Sequence, residues 1–234
     1  MTFLGIADVR RRTLFRSPAS PEAELYARTR VDSGRTPWRQ ARYCVVDLEL
    51  SGLDPRSDEI ISFAAVPIDD GRVVAGGALY GLCRPSRTIP EESILIHGIR
   101  DSDLAEAPPL AEAIRPLLSA MAGRVLVVHV AWVERSFLGR ALACDGVRLH
   151  EPVLDTCELG QLLASIRNAT PAPRALDELA ISMNLPVQRQ HHALGDALTT
   201  AQLFLACATH LEEYSHETVR SLARAKQRLG SYQR

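Results

Sequence analysis

Short apolar segments separated by turn residues occupy the sequence from position 43 onward. Residues 43–50 (YCVVDLEL) form an apolar run that contains two carboxylates, and a second run covers residues 59–68 (EIISFAAVPI). Residues 70–71 are Asp-Gly, a dipeptide that favours a two-residue hairpin turn, and a third run covers residues 72–85 (RVVAGGALYGLCRP). These lengths and turn signals predict three antiparallel strands in succession.

Helices and strands alternate in the rest of the predicted structure. The predicted helices cover residues 110–123, 131–146, the later part of 153–166, 174–184 and 193 to about 211. The predicted strands are residues 124–130 and the beginning of 153–166. Three antiparallel strands followed by this alternation indicate an α/β fold with a mixed five-stranded sheet flanked by helices, and the ribonuclease H-like architecture fits the order.

The same pattern divides the chain into a core and two appendages. Residues 42–211 contain all the predicted strands and therefore form the predicted core domain. Residues 1–41 are interrupted by prolines and glycines and predict an extension that is helical between residues 22 and 30. Residues 212–234 predict a helical tail.

Composition indicates a folded protein. The 234 residues are 46% apolar and 24% charged, which excludes a mainly disordered chain. The sequence has no apolar run long enough for a membrane-spanning helix, and its first residues lack the charge order of a secretory signal. We therefore expect a cytoplasmic protein that does not bind membranes. The five cysteines are widely spaced and predict reduced thiols rather than disulfides or a zinc site.

Charge is unevenly distributed, although the formal net charge is −1. Residues 1–42 hold nine arginines against four acidic residues, residues 43–211 hold 13 arginines against 21, and residues 212–234 hold five basic residues against three. The basic ends have two interpretations: contact with a nucleic-acid backbone, or appendages that pack on the core. Three apolar side chains of the extension favour packing: Leu25, Tyr26 and Trp38.

Two carboxylates share one face of the first predicted strand. Residues i and i+2 of a strand point the same way, about 6.5 Å apart, so Asp47 and Glu49 lie side by side. Such a pair repels and resists burial unless a cation lies between the two groups, and divalent ions are natural neutralisers. The alternative is an exposed strand end at which water solvates both carboxylates.

Two further carboxylates follow histidines at the beginnings of predicted helices. Asp196 falls in the first turn of the helix that begins near residue 193, five residues after His191. Glu134 falls in the first turn of the helix that follows the predicted strand 124–130, near the strand end where open α/β sheets place their ligands. Either acid alone is explained equally by favourable interaction with the helix dipole.

Together, in this order, these motifs resemble the DEDDh family of 3′→5′ exonucleases. This is the DnaQ-like group, which includes the proofreading epsilon subunit of bacterial replicases. Residues 47–68 resemble its first motif (D-x-E-T-T-G-L), residues 127–138 its second, and residues 191–205 its third (H-x-A-x-x-D). Two connecting segments resemble the family as well: residues 96–104 and 153–163. The resemblance extends from residue 42 to about residue 210 and implies a ribonuclease H-like fold.

The resemblance implies a site for two divalent ions, Mg²⁺ or Mn²⁺. Asp47 would bind both ions, Glu49 and Asp196 would bind the ion that holds the attacking water, and Glu134 would help to hold the second. His191 matches the motif histidine and would act as the general base, because a histidine titrates near neutrality. Oxygen ligands suit these ions better than zinc, which prefers nitrogen and sulfur.

The resemblance also implies a set of substrate-binding residues. The backbone around Leu50, Ser51, Gly52 and Leu53 would hold the terminal nucleotide, with Leu53 as an apolar wedge beside the last base. His97 lies in the family's H-G-I turn, where either contact with the substrate or a packing role is expected.

The sequence departs from the family pattern at several of these positions. Glu134 replaces the usual aspartate and is one methylene longer, so the position of the helix must compensate. Val130 and Val133 replace the usual asparagine and aromatic residue, and Leu50-Ser51 replaces Thr-Thr. These changes bear on rate and metal preference more than on the type of reaction.

The resulting hypothesis is a stand-alone, metal-dependent 3′→5′ exonuclease. It would hydrolyse the 3′ ends of single-stranded DNA and release nucleoside monophosphates. DNA is favoured over RNA, but the first motif is close to that of oligoribonucleases, so an RNA 3′-end exonuclease is the alternative. A catalytically weak nucleic-acid-binding module is a third hypothesis, because of Glu134. The tail has no evident clamp-binding motif, so the sequence does not support a replicase partner. The sequence also predicts no oligomeric state.

Overall fold

A computed structural model describes residues 18–232 as an α/β fold around a six-stranded mixed sheet. The strands are β1 (Tyr43–Leu50), β2 (Ile60–Asp69), β3 (Arg72–Val73), β4 (Leu79–Leu82), β5 (Val125–Val128) and β6 (Val153–Asp155). Their order is β3-β2-β1-β5-β6, with β4 also paired to β2. The strands up to β4 pair antiparallel, whereas β1, β5 and β6 pair in parallel. This confirms the predicted mixed sheet that begins with antiparallel strands.

The sixth strand arises because the third predicted strand is split in two. Residues Ala75–Gly77 form a 3-10 turn between β3 and β4, and both strands pair with the same edge of β2. Pro67 of β2 accepts a hydrogen bond from Val74 at this edge but has no N–H to return, which interrupts the ladder. Asp70 and Gly71 have positive φ angles of 49° and 68°, as expected for the predicted hairpin turn.

The helices occupy the regions that the sequence predicts, with two differences. They are α1 (Pro21–Arg28), α2 (Glu91–His97), α3 (Leu110–Ala113), α4 (Arg115–Met121), α5 (Ala131–Cys144), α6 (Thr156–Ile166), α7 (Leu176–Ser182), α8 (Ala193–Glu212), α9 (Val219–Ala223) and α10 (Ala225–Tyr232). Helix α2 was not predicted. The predicted helix 110–123 is two helices, because Pro116 lacks the N–H that would continue the ladder across Ile114.

Two apolar cores cover the two faces of the sheet. Tyr43 and Val45 of β1 pack with α6 and α8 on one face, whereas Val46 and Leu48 pack with α1, α4 and α5 on the other. Because side chains alternate along a strand, the carboxylates of β1 point to the α8 face. This alternation places the acidic end of β1 beside the beginning of α8.

The appendages pack on the core and on each other. Trp38 and Tyr26 of the extension are buried, whereas Leu25 is half exposed. Backbone hydrogen bonds join residues 34–38 to residues 217–220. The predicted extension and tail continue outside the described residues, at 1–17 and 233–234. Within residues 18–232, the helices are all too short or too polar to cross a membrane.

Candidate active site

Strand β1 and helix α8 bring three carboxylates together at one end of the sheet. Asp47, Glu49 and Asp196 each offer an oxygen, and these three oxygens lie within 4.8 Å of one another. Asp47 and Glu49 come from the same face of β1, just before a register shift that ends its regular pairing with β2. The predicted proximity of these three side chains is therefore present in the fold.

Tight loop geometry holds Asp196 in place at the beginning of α8. Its Oδ2 accepts a hydrogen bond from the backbone N–H of His191 at 2.9 Å. A side chain at Gly195 would overlap the backbone of Arg189, so only glycine allows the preceding loop to approach the helix so closely. The loop and the first turn of α8 thus form one rigid unit that carries His191 and Asp196.

Glu134 lies on α5 and does not belong to the group of oxygens that Asp47, Glu49 and Asp196 form among the described residues. It is only 4% exposed, and its Oε2 has no hydrogen-bond partner within the described part of the chain. After burial, the charge of Glu134 is the largest cause of the raised pKa of Asp47. Glu49 likewise has a buried oxygen, Oε1, without a partner among the described residues. Unpaired buried carboxylate oxygens are unfavourable unless a cation binds them.

The four carboxyl groups share raised pKa values. Burial and neighbouring carboxylates raise the pKa of Asp47 well above its usual value, and burial is the main cause for Glu134. Burial, together with the charge of Asp196, raises the pKa of Glu49 to about 7. Burial raises the pKa of Asp196 to about 6, although its hydrogen bond from His191 opposes the change. The site therefore concentrates negative charge that is poorly solvated.

The beginning of α5 has an unusual backbone. Val130 precedes the helix with φ 68° and ψ 67°, a left-handed conformation that is strained for a β-branched residue. Asp155 fixes this turn, because its carboxylate accepts hydrogen bonds from the N–H groups of Val130 and Ala131. The family's asparagine at this position suits such a conformation better, because asparagine tolerates positive φ.

Replacing Val130 by asparagine should therefore stabilise the protein by about 1 kcal/mol. The measurement is the free energy of unfolding in urea with EDTA present. Val74→Asn is the matched control, since Val74 is also partly exposed but has an ordinary φ of −98°. Equal effects of the two substitutions would contradict a strained Val130.

A cavity of about 210 Å³ opens beside the carboxylates. It is lined by Leu48, Glu49, Leu50, Gly52, Leu53, Ser93, Ile96, His97 and Val133. Ser93 of α2 donates a hydrogen bond to the carbonyl of Ser51 at 2.8 Å, so α2 forms one wall. Leu53 is exposed at its edge, while a side chain at Gly52 would overlap Asp58. The cavity is therefore mainly apolar, with the Glu49 carboxyl group in its lining.

The three histidines near the site have different surroundings. His97 is buried, accepts a hydrogen bond at Nδ1 from the N–H of Ile99, and therefore carries its proton on Nε2. Burial and then the charge of His191 lower the pKa of His97, which keeps it neutral. His191 is exposed with a positive φ of 52°, whereas His192 stacks on Tyr80 with ring centroids 4.7 Å apart. His192 is therefore engaged with Tyr80, whereas His191 is the histidine whose charge acts on His97.

Tyr80 is a site neighbour that the sequence reasoning missed. It lies on β4, and its ring holds the loop that carries His191 and His192. Partly exposed tyrosines are common in strands, so the sequence contains no signal that singles out Tyr80. Its stacking on His192 joins β4 to the loop before α8, a contact that only the fold shows.

Comparison with known proteins decides the family. A sequence model of the RNase T exonuclease family matches residues 44–204. This chain belongs to that exonuclease family. A DNA polymerase III subunit epsilon-like protein from Rhodobacter capsulatus is 38% identical over 173 residues, which are 73% of this chain and 24% of the relative. A PolC-type DNA polymerase III from Thermotoga petrophila is 33% identical over 72% of this chain and 12% of the relative.

Solved structures show the same fold. Exonuclease X in complex with 5′ overhanging duplex DNA matches 77% of this chain and 99% of its own, at 22% identity and a TM-score of 0.61. Exonuclease I of E. coli in complex with a dT13 oligonucleotide matches 75% of this chain and 42% of its own, at 16% identity and a TM-score of 0.65. The expected ribonuclease H-like fold is confirmed. The chain spans about a quarter or less of the length of the two polymerase-related proteins.

Proposed function

We propose that the protein is a metal-dependent 3′→5′ exonuclease that hydrolyses single-stranded DNA to nucleoside monophosphates. The observation that carries the proposal is the convergence of the Asp47, Glu49 and Asp196 oxygens within 4.8 Å. Glu134 of α5 adds a buried oxygen without a partner among the described residues. Membership of an exonuclease family supports the type of reaction, and the relatives named as DNA polymerase components support DNA as the substrate.

The residues present fit divalent ions. Four carboxylates with raised pKa values, two of which have a buried oxygen without a partner between residues 18 and 232, form an oxygen-only donor set suited to Mg²⁺ or Mn²⁺. Asp47, Glu49 and Asp196 would hold one ion, and Asp47 with Glu134 would hold another. Such ions, when bound, lower the pKa of water and stabilise the leaving oxygen of a phosphodiester.

The chain's own residues orient the substrate and move the proton. The cavity beside Glu49 receives the terminal nucleoside, with Leu53 against the last base and the loop of Ser51 and Gly52 along the sugar. His97 donates from Nε2 toward the substrate, since this buried atom has no partner among the described residues. His191, held on the rigid loop at the beginning of α8, accepts the proton of the attacking water as general base.

The direct test is hydrolysis of a 5′-labelled single-stranded oligonucleotide with Mg²⁺ or Mn²⁺, with EDTA as the control. We expect a ladder that shortens from the 3′ end, with nucleoside monophosphate as the product. An RNA of the same base sequence is compared in parallel, and faster cleavage of the RNA would overturn the choice of substrate. No cleavage of either polymer with either ion would overturn the proposed function.

Removal of the Glu134 carboxylate should lower kcat by about 100-fold. The longer side chain is expected to bind an ion directly. Glu134→Ala should therefore also raise the ion concentration that gives half of the maximal rate. The measurement is the initial rate as a function of Mn²⁺ concentration. Glu112→Ala, which removes an exposed acid on α3, serves as the control. Full activity of Glu134→Ala would show that Glu134 is not a metal ligand.

Loss of the Tyr80 ring should lower kcat/KM by about tenfold, because His192 would no longer hold the loop that positions His191. Tyr80→Phe keeps the stacked ring and should retain most of the activity, whereas Tyr80→Ala should not. The measurement is kcat/KM across pH, together with the NMR signals of the two histidine rings. The same rate for the two variants would contradict a positioning role.

A further inference from the structure

A second groove lies on the other side of the first turn of α5. Its volume is about 470 Å³, and Trp132, Arg135, Arg174 and Lys226 contribute to its lining. Val133, the residue next to Trp132, lines the cavity beside Glu49 instead. The first turn of α5 therefore contributes to two pockets, and Glu134 lies in that turn.

Trp132 gives this groove an exposed aromatic surface. The side chain is 52% exposed, although burial of an indole is strongly favourable. Trp38, the other tryptophan of the chain, is fully buried. Trp132 lies three residues before Arg135 on α5, so the two side chains are on the same face of the helix. An exposed ring beside a guanidinium is the chemistry that stacks bases and contacts phosphates.

At least one basic side chain of the groove is available to bind an anion. Arg174 is exposed and forms no ion pair with any residue between 18 and 232. Arg135 forms a two-point ion pair with Glu151 and keeps part of its guanidinium exposed. Lys226 lies 3.7 Å from Glu158 with its side chain 81% exposed, and a solvated pair of this kind exchanges readily for a phosphate.

The acidic residues that line the groove, Asp155 and Glu158, already have partners in the fold. Asp155 accepts backbone hydrogen bonds from Val130 and Ala131, and also from Cys157 at the beginning of α6. Its negative charge is therefore directed at two helix N-termini and not at the open groove. Glu158 is the remaining acid of the lining, and Lys226 lies beside it.

We propose that this groove binds the part of a single-stranded polynucleotide that lies immediately 5′ of the scissile phosphate. A base stacks on Trp132, and the adjoining phosphates contact Arg174 and Arg135. The proposal rests on the proposed function, because the terminal nucleoside occupies the cavity beside Glu49 and the scissile phosphate lies at the carboxylates. The strand then passes the first turn of α5, which contributes to both pockets, to reach the indole ring.

Tryptophan fluorescence tests this inference without any need for catalysis. Because Trp38 is buried, a change on addition of an oligonucleotide reports on Trp132. We expect quenching by a single-stranded oligonucleotide in EDTA and Ca²⁺ buffers, and none by a nucleoside monophosphate, which reaches only the terminal cavity. Binding is followed independently by the anisotropy of a labelled oligonucleotide. Binding without quenching would overturn the proposal.

Substitutions of Trp132 provide a second test of the groove. Trp132→Ala should weaken oligonucleotide binding by about tenfold, whereas Trp132→Phe, which still stacks, should lose the fluorescence signal but bind with nearly the original affinity. Tyr214→Ala is the matched control, since Tyr214 is also an aromatic residue 52% exposed, located beyond the far end of α8. Equal affinities of wild type and Trp132→Ala would overturn the proposal.

The two proposals fail in different ways. Hydrolysis of the p-nitrophenyl ester of thymidine 5′-monophosphate by the wild-type protein tests the carboxylate site alone. Cleavage of this ester, combined with unchanged binding by Trp132→Ala, would overturn only the groove. Failure to cleave both the ester and the oligonucleotide would overturn the exonuclease and the groove with it.

Discussion

Replacing Asp47 by asparagine is expected to reduce the hydrolysis of a labelled oligonucleotide by at least about a thousandfold. Asp47 is the residue on which the charges of the other three carboxylates converge, because Glu134, Asp196 and Glu49 all raise its pKa. It is also the one carboxylate placed to bind both proposed ions. The measurement is the initial rate at saturating Mg²⁺ and Mn²⁺, compared with the wild-type protein.

The same substitution should stabilise the metal-free protein. An amide in place of Asp47 removes one of several crowded charges, so unfolding in EDTA at about pH 8 should require more urea than it does for the wild type. Glu106→Gln, an exposed acid distant from the site, controls for the general effect of neutralising a carboxylate. Loss of both activity and stability in Asp47→Asn would indicate a folding defect and contradict this interpretation.

The second large effect is a pH-dependent stabilisation by divalent ions. Each of the four carboxyl groups has a higher pKa in the folded protein than its ordinary value, so the folded state binds more protons than the unfolded state. The free energy of unfolding without metal should therefore fall as pH rises from about 4 to 7. For Glu49 alone, a change from 4.5 to about 7 corresponds to about 3 kcal/mol.

Ions that bind the ionised carboxylates should reverse this loss. We expect Mn²⁺ or Mg²⁺ to raise Tm by about 5 to 10 °C at about pH 8 and by much less at about pH 5, where protons compete with the ions. Thermal unfolding in EDTA, Mg²⁺ and Mn²⁺ across this pH range is the measurement. A Tm that responds equally to the ions at both pH values would contradict the cluster as their binding site.

Much of the fold could be predicted because strong local signals agree with the tertiary structure. The apolar run of β1, the Asp-Gly turn after β2 and the long apolar face of α8 each specify an element, and each appears within a few residues of its predicted position. Alternation along β1 also predicted that Asp47 and Glu49 share a face. Their proximity to Asp196 came from the motif order and not from any local pattern.

Other features depend on contacts that no local pattern contains. Helix α2 is short and begins with two acidic residues after a proline, so its own sequence pattern is a weak signal for a helix. Its position depends on the hydrogen bond that Ser93 donates to the carbonyl of Ser51. The split between β3 and β4 results from Pro67, which lies on a different strand. Trp132 looked like one residue of an ordinary helix, and only the fold shows that its ring is exposed beside a groove.

The separation of the carboxylates along the chain has a consequence for synthesis. Asp47 and Glu49 lie on β1, the first strand, whereas Asp196 lies on α8, and five further strands and six helices are made between them. A chain that emerges from the ribosome therefore holds only part of the cluster until α8 has been translated and has docked on the sheet. Under the proposed function, a chain truncated before α8 would lack Asp196 and therefore the complete group of carboxylates.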